Sequence, residues 1–174
     1  MAVNLSPLQF ASPALLDSVR EVLQRHRIEP ACLTLEITET TAMKDVDASL
    51  AILNDLTAMG VHIAIDDFGT GYSSLLYLKR MPATELKIDR AFVHDLECNE
   101  EDAAIVSSII ALGRTLQLQV VAEGVETQAQ REYLSELGCD QLQGYHLGRP
   151  MDAEEFLRRV GCCLLYTSDA ADEE

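Results

Sequence analysis

No apolar run in this sequence approaches the roughly 18 residues that cross a bilayer, and its opening residues do not read as a signal peptide. A membrane-inserted segment is therefore not expected here. The expected location is the cytoplasm, with any anchor left to other parts of a parent protein. Basic side chains are scarce: 13 Lys and Arg stand against 29 Asp and Glu, for a formal charge of −16. Such a surface repels nucleic acid polymers and anionic membranes alike. An anionic ligand is left one route, a cation that reverses the sign locally. The five cysteines form no CxxC pair and no metal-finger spacing, which suits a reducing compartment and idle thiols. The four histidines (His26, His62, His94, His146) share no spacing, and none is assigned to a site. No GxGxxG fingerprint and no Walker-type phosphate loop occurs.

What is present is an alternation of short apolar strands, each closed by a polar residue, with amphipathic helices. Hydrophobic residues make up 48% of 174, enough for one domain with a real core. Ala2-Val3 ends at Asn4, and a helix follows with Leu15, Leu16, Val19, Val22 and Leu23 on one face. Leu33-Thr34-Leu35 ends at Glu36, and a later helix through Leu50, Leu53, Leu56 and Met59 is closed by Gly60. Val61 to Ile65 runs into Asp66-Asp67, and Ser73 to Lys79 reads as a short helix. Leu86 and Ile88 flank Lys87 in a strand ending at Asp89. A long helix follows, with Ile105, Val106, Ile109, Ile110 and Leu116 expected to face inward. Val120-Val121-Ala122 ends at Glu123. Thr127 with Gln130 forms a capping box for the next helix, which stops at Gly138. A short strand then reaches Gln143-Gly144, and Asp152 with Glu155 repeats the box for a last helix.

Strand–helix alternation argues for a parallel sheet with crossover helices. Polar residues at the carboxyl ends of many successive strands are what the catalytic face of a barrel requires. A doubly wound sheet gathers its ligand groups at one switch point, beside a glycine-rich loop that is missing here. The expectation is an α/β, TIM-like (β/α)8 barrel, incomplete, with about six strands present and one or two more upstream. From Cys163 the run CLLYTSDAADE breaks the helical pattern and looks like translated sequencing adapter. Residues 1–161 are accordingly read as one partial domain and 162–174 as a non-native or disordered tail.

The strand ends also carry the chemistry. In a barrel, Asn4, Glu36, Asp66, Asp67 and Glu123 converge at one mouth. Two carboxylates about 4 Å apart repel by roughly 4 kcal/mol at an effective dielectric near 20, so the group must be protonated or filled by cations. All-oxygen donors suit hard ions such as Mg²⁺ or Mn²⁺, and the adjacent Asp66-Asp67 pair is placed to bridge or divide two of them. Two such ions form a clamp for phosphodiester hydrolysis. The alternative for each acid alone is a solvated strand end or a helix cap. Lys87, between two apolar neighbours, is expected to point inward, where it orients water or stabilises charge on phosphate. Two glycines in Asp66 to Ser74 indicate either a mobile loop beside the metals or a plain turn.

In order, these segments resemble the EAL phosphodiesterase family: VNLS from Val3, LEITET from Leu35, DDFGTGYSSL from Asp66, LKIDRAFV from Leu86, VAEGVET from Val121 and QGYHLGRP from Gln143. The resemblance covers about Met1 to Val160. It implies an eight-stranded barrel that opens cyclic-di-GMP to linear pGpG with Mg²⁺ or Mn²⁺, two ions in all. It makes Asn4, Glu36 and Asp66 metal ligands, with Asp67 and Glu123 serving a second metal or the water, and Lys87 the catalytic lysine. Asp89, Glu126, Gln143 and Pro150 line the site, and Glu39 anchors the loop that starts near Asp67. The Glu-Ala-Leu motif that names the family, and the arginine after it, do not occur in this chain, which reads as truncation and implies impaired turnover. Fusion to sensory or cyclase domains is expected, and a homodimer is allowed. Two other readings remain: a cyclic-di-GMP binding module without catalysis, and a general metal-dependent phosphatase on the same barrel.

Overall fold

The structure is a computed structural model that describes residues 1–71 and 75–159. Six strands form one parallel sheet in strictly sequential order: β1 (Ala2–Asn4), β2 (Thr34–Thr38), β3 (His62–Phe68), β4 (Glu85–Ile88), β5 (Gln119–Ala122) and β6 (Gln141–Leu142). A doubly wound sheet would reverse its strand order at a switch point. Sequential order without reversal is the wall of a barrel, as the strand-end pattern requires. The wall is incomplete, with β1 and β6 as its edges.

Between the strands run α1 (Pro7–Phe10), α2 (Leu15–His26), α3 (Glu39–Lys44), α4 (Val46–Ala58), α5 (Leu75–Leu78), α6 (Arg90–His94), α7 (Glu100–Leu116) and α8 (Gln128–Glu136). Residues 153–159 form a last helix, α9, opened by Asp152 Oδ1 accepting from Glu155 N at 2.8 Å. Local sequence explains most boundaries. Asp45 and Asn99 cap α4 and α7, and three acids in the first turn of α7 oppose the helix dipole. The capping box of Thr127 and Gln130 forms as expected. α4 is followed by Gly60 at φ 90, a left-handed position that suits glycine.

Leu53, Leu56, Ile63, Leu86 and Ile88 are fully buried between the sheet and its helices. Each such side chain stabilises the fold by about 1.5–3 kcal/mol relative to exposure. Close packing also uses Gly113, where an added Cβ would lie 2.2 Å from Val120 Cγ2. That contact seats α7 directly on β5.

Several expectations shift. Ile105 and Val22 are exposed rather than inward-facing. In α7 the buried stripe is Val106, Ile109, Ile110 and Gly113, and Ile105 lies one residue's rotation off it. β2 continues past Glu36 to Thr38, and β3 past Asp66 to Phe68, because the ladder extends through Thr38↔Asp66 and Phe68↔Ile88. A short helix, α3, starts directly after β2, with Thr38 as its cap. The helix expected over Ser73 to Lys79 is seen as Leu75–Leu78, and its start lies outside the described residues, as does the tail beyond residue 159.

Candidate functional site

Lys87 sits in the middle of β4 and is buried, with 5% of its surface exposed. An ammonium has three N–H donors, and each has its own carboxylate. Nζ lies 2.8 Å from Glu36 Oε1, 3.2 Å from Asp66 Oδ1 and 2.6 Å from Glu123 Oε1. These acids come from β2, β3 and the residue after β5, so four consecutive strands meet at one amine. Register makes this possible: Glu36 pairs with Ala64, Thr38 with Asp66, and Ile88 with Ala122. Burial works against the charged amine, but hydrogen bonds to Glu123 and Glu36 outweigh it, and Lys87 titrates well above its ordinary value. The Glu123 carboxyl also titrates above its ordinary value: burial raises its pKa most, Lys87 lowers it, and the nearby Asp66 and Glu36 raise it again.

The Asp66-Asp67 pair is placed by a backbone irregularity. Between Ile65↔Leu86 and Phe68↔Ile88 the ladder slips, so two residues of β3 oppose Lys87 alone. Asp67 takes up the slip at φ 53, and its N–H donates to Asp66 Oδ1 at 3.0 Å. Burial first, then the charges of Asp66 and Asp89, raise the pKa of the Asp67 carboxyl. Asp89 itself caps α6 through Ala91 N at 2.7 Å. The loop after β3 is held from below. Glu39, 1% exposed, accepts from Gly69 N at 2.9 Å through Oε2, and its Oε1 has no partner among the described residues. A Cβ on Gly71 would lie 2.6 Å from that Oε1, so the loop backbone rests against the carboxylate. The closeness of Gly71 was not legible in the sequence beyond the presence of a second glycine.

The remaining expected residues lie around this centre. Asn4 stands level with Glu36 in register but is exposed on the edge strand β1. Gln143 follows β6, and its backbone ties to Ala122 O and Val125 N, while its side chain is exposed. Glu126 lines an open groove of about 440 Å³ with Arg90, His94 and Gly124. Pro150 is exposed, beyond the helical turn that follows β6. Among the described residues no set of three or more His, Cys, Asp or Glu has the spacing of a metal cage. The acids gather on Lys87 instead. The donor chemistry nevertheless fits a hard divalent ion. The acids are all oxygen donors, and three carboxylates share one ammonium, leaving net negative charge at the centre.

The family model of the EAL domain matches residues 1–150. The chain belongs to the EAL domain family. It is 66% identical over 160 residues to the bifunctional diguanylate cyclase/cyclic di-GMP phosphodiesterase MucR of Pseudomonas aeruginosa, a match covering 92% of this chain and 23% of MucR. A solved structure described as the PaMucR phosphodiesterase in complex with c-di-GMP superposes with a TM-score of 0.88 at 67% identity, covering 90% of this chain and 63% of that one. The Klebsiella pneumoniae protein BlrP1, described in complex with manganese and cyclic-di-GMP, superposes with a TM-score of 0.79 at 33% identity, covering 86% of this chain and 38% of its own. The EAL chain thus spans less than a quarter of the length of MucR. No helix among its described residues is long and apolar enough to cross a membrane.

Proposed function

We propose that this EAL chain carries the active face of a cyclic-di-GMP phosphodiesterase, opening the cyclic dinucleotide to linear pGpG with Mg²⁺ or Mn²⁺ as a two-ion cofactor. The observation that carries the reading is the convergence of Glu36, Asp66 and Glu123 on the buried amine of Lys87 at the carboxyl edge of a parallel sheet. The phosphodiesterase name of MucR and the ligands named for the MucR and BlrP1 structures support it.

In this reading Asn4, Glu36, Asp66, Asp67 and Glu123 hold the ions. When bound, these polarise phosphate oxygen and lower the pKa of an attacking water. The protein's own groups orient and exchange protons. The Glu123 carboxylate, with its pKa raised by burial, is suited to take a proton from water. Lys87 Nζ presents a fixed positive charge where negative charge develops on phosphate. Glu39 holds the loop after β3 through Gly69 N–H, and Asp89, Glu126, Gln143 and Pro150 line the dinucleotide.

The reading takes the chain to act in the cytoplasm as one module of a longer signalling protein with sensory or cyclase domains. Association into a homodimer belongs to it, supported by the exposed apolar side chains Leu75, Leu76 and Ile105, and sedimentation across concentration tests it. The deciding assay is pGpG formation from cyclic-di-GMP with Mg²⁺ or Mn²⁺ and with chelator. Turnover is expected to vanish in chelator and to be slow beside that of a chain that also carries a Glu-Ala-Leu motif. Equal cleavage of generic phosphoesters would instead mark a general phosphatase. Tight binding without turnover in either chain would mark a binding module.

A further inference from the structure

Gln130 lies in the first turn of α8 with 3% of its surface exposed. A glutamine is buried to this degree when both ends of its amide are hydrogen-bonded. The cap of α8 accounts for part of that use: Thr127 Oγ1 accepts from Gln130 N at 3.1 Å, and Gln130 Oε1 accepts from Thr127 N at 3.0 Å. Two further bonds fall outside any capping box. The same Oε1 accepts from Glu126 N at 2.7 Å, and Nε2 donates to His94 O at 3.1 Å.

His94 is the last residue of α6, the helix that Asp89 caps. One buried amide therefore joins the segment after β4, which holds Asp89, to the segment after β5, which holds Glu123 and Glu126. A second link runs parallel to it, because Thr127 Oγ1 donates to Glu97 Oε1. The two segments are in direct contact at Gly124, φ 72, where a Cβ would lie 2.6 Å from Arg90 Cβ. Upstream, the β5 segment is tied by Glu123 N to Ile88 O at 3.2 Å and by Val125 N to Gln143 O at 3.0 Å. Its downstream end is held by Gln130.

The amide has one orientation that works. Turned over, its NH₂ would face two N–H donors and its oxygen would face a carbonyl. Glutamate in its place keeps both acceptor bonds, and glutamate is an ordinary partner in a capping box. It has no donor for His94 O.

We propose that Gln130 is a positioning residue for the candidate site: its buried amide clamps the segment after β5 to the end of α6 and so fixes Glu123 relative to Asp89. The inference rests on the phosphodiesterase reading above and adds to it a residue that touches neither ion nor substrate. Groups that orient the ligands of a metal site change its affinity by about 10–100-fold when altered.

The test is Mn²⁺ binding to the 174-residue chain by calorimetry, with amide hydrogen exchange on the same samples. Gln130→Glu should leave exchange slow through the first turn of α8 and weaken Mn²⁺ binding about 10–100-fold. Gln130→Met keeps the bulk and loses every amide bond, so it should weaken Mn²⁺ equally and also speed exchange in that turn. It carries the comparison should a buried carboxylate unfold the chain. Parent-like Mn²⁺ affinity in a folded Gln130→Glu or Gln130→Met variant overturns the inference and leaves the phosphodiesterase reading standing. A parent chain that binds no Mn²⁺ overturns both.

Discussion

At the scale of single residues, Lys87 is the point on which the buried charges of four strands meet. Removing its ammonium leaves three carboxylates facing one another, and breaking a buried pair by deleting one partner destabilises by about 3–5 kcal/mol. Lys87→Met should therefore lower the thermal midpoint markedly in chelator and recover part of the loss in Mn²⁺, since an ion bound only by the folded chain stabilises it. Thermal unfolding with and without metal reads this directly. Glu123→Gln is gentler, because the amide oxygen can still accept from Lys87. Circular dichroism should stay at the parent level while pGpG formation falls by about 10²–10³, the range for losing one preorganised electrostatic partner. Asp67 carries a pH signature. Its pKa is raised in the folded state, so between its ordinary and raised values the folded chain binds the extra proton, and stability falls as pH rises through that window. Asp67→Asn removes the titration and tolerates φ 53 well. In chelator, the denaturation midpoint of the variant should gain on the parent as pH rises through the acid range. A constant gap would show that Asp67 titrates normally.

At the scale of elements, one close backbone approach at the carboxyl edge is made at a glycine. A Cβ on Gly144 would lie 2.2 Å from Val125 O and 2.3 Å from Val125 N, backbone atoms that cannot rotate away. Gly144→Ala should destabilise by at least the 1–3 kcal/mol typical of overpacking, with a thermal midpoint several degrees lower. Helix ends were legible because capping is local chemistry. Thr127 and Asp152 announce helix starts by residue type, and Gly60 announces a stop. Strand ends were less so. Glu36 and Asp66 read as terminal because they are polar, yet their strands continue, since a buried carboxylate with a lysine partner does not interrupt a ladder. The exposure of Ile105 was invisible for a related reason: hydropathy marks a helix face only to within about one residue's rotation.

At the scale of the whole molecule, the six-strand wall has two edges, and β1 is short with all three residues exposed. Unpaired edges invite association between sheets. A chain extended upstream through a Glu-Ala-Leu motif should therefore show a higher thermal midpoint, less aggregation and faster pGpG formation than this one. Side-by-side assays decide it, and equal rates would require the ligand set to be redrawn. What the sequence by itself determined was the parallel, sequential plan and the identity of the acids and the lysine, because strand–helix alternation and polar strand ends are written in consecutive residues. What only the tertiary structure decided was how those groups meet. Three carboxylates saturate one ammonium, a slipped register sets Asp66 and Asp67 opposite Lys87, and Gln130 bridges two segments 36 residues apart. Those are distances between strands, set by register and packing, and no run of neighbouring residues contains them.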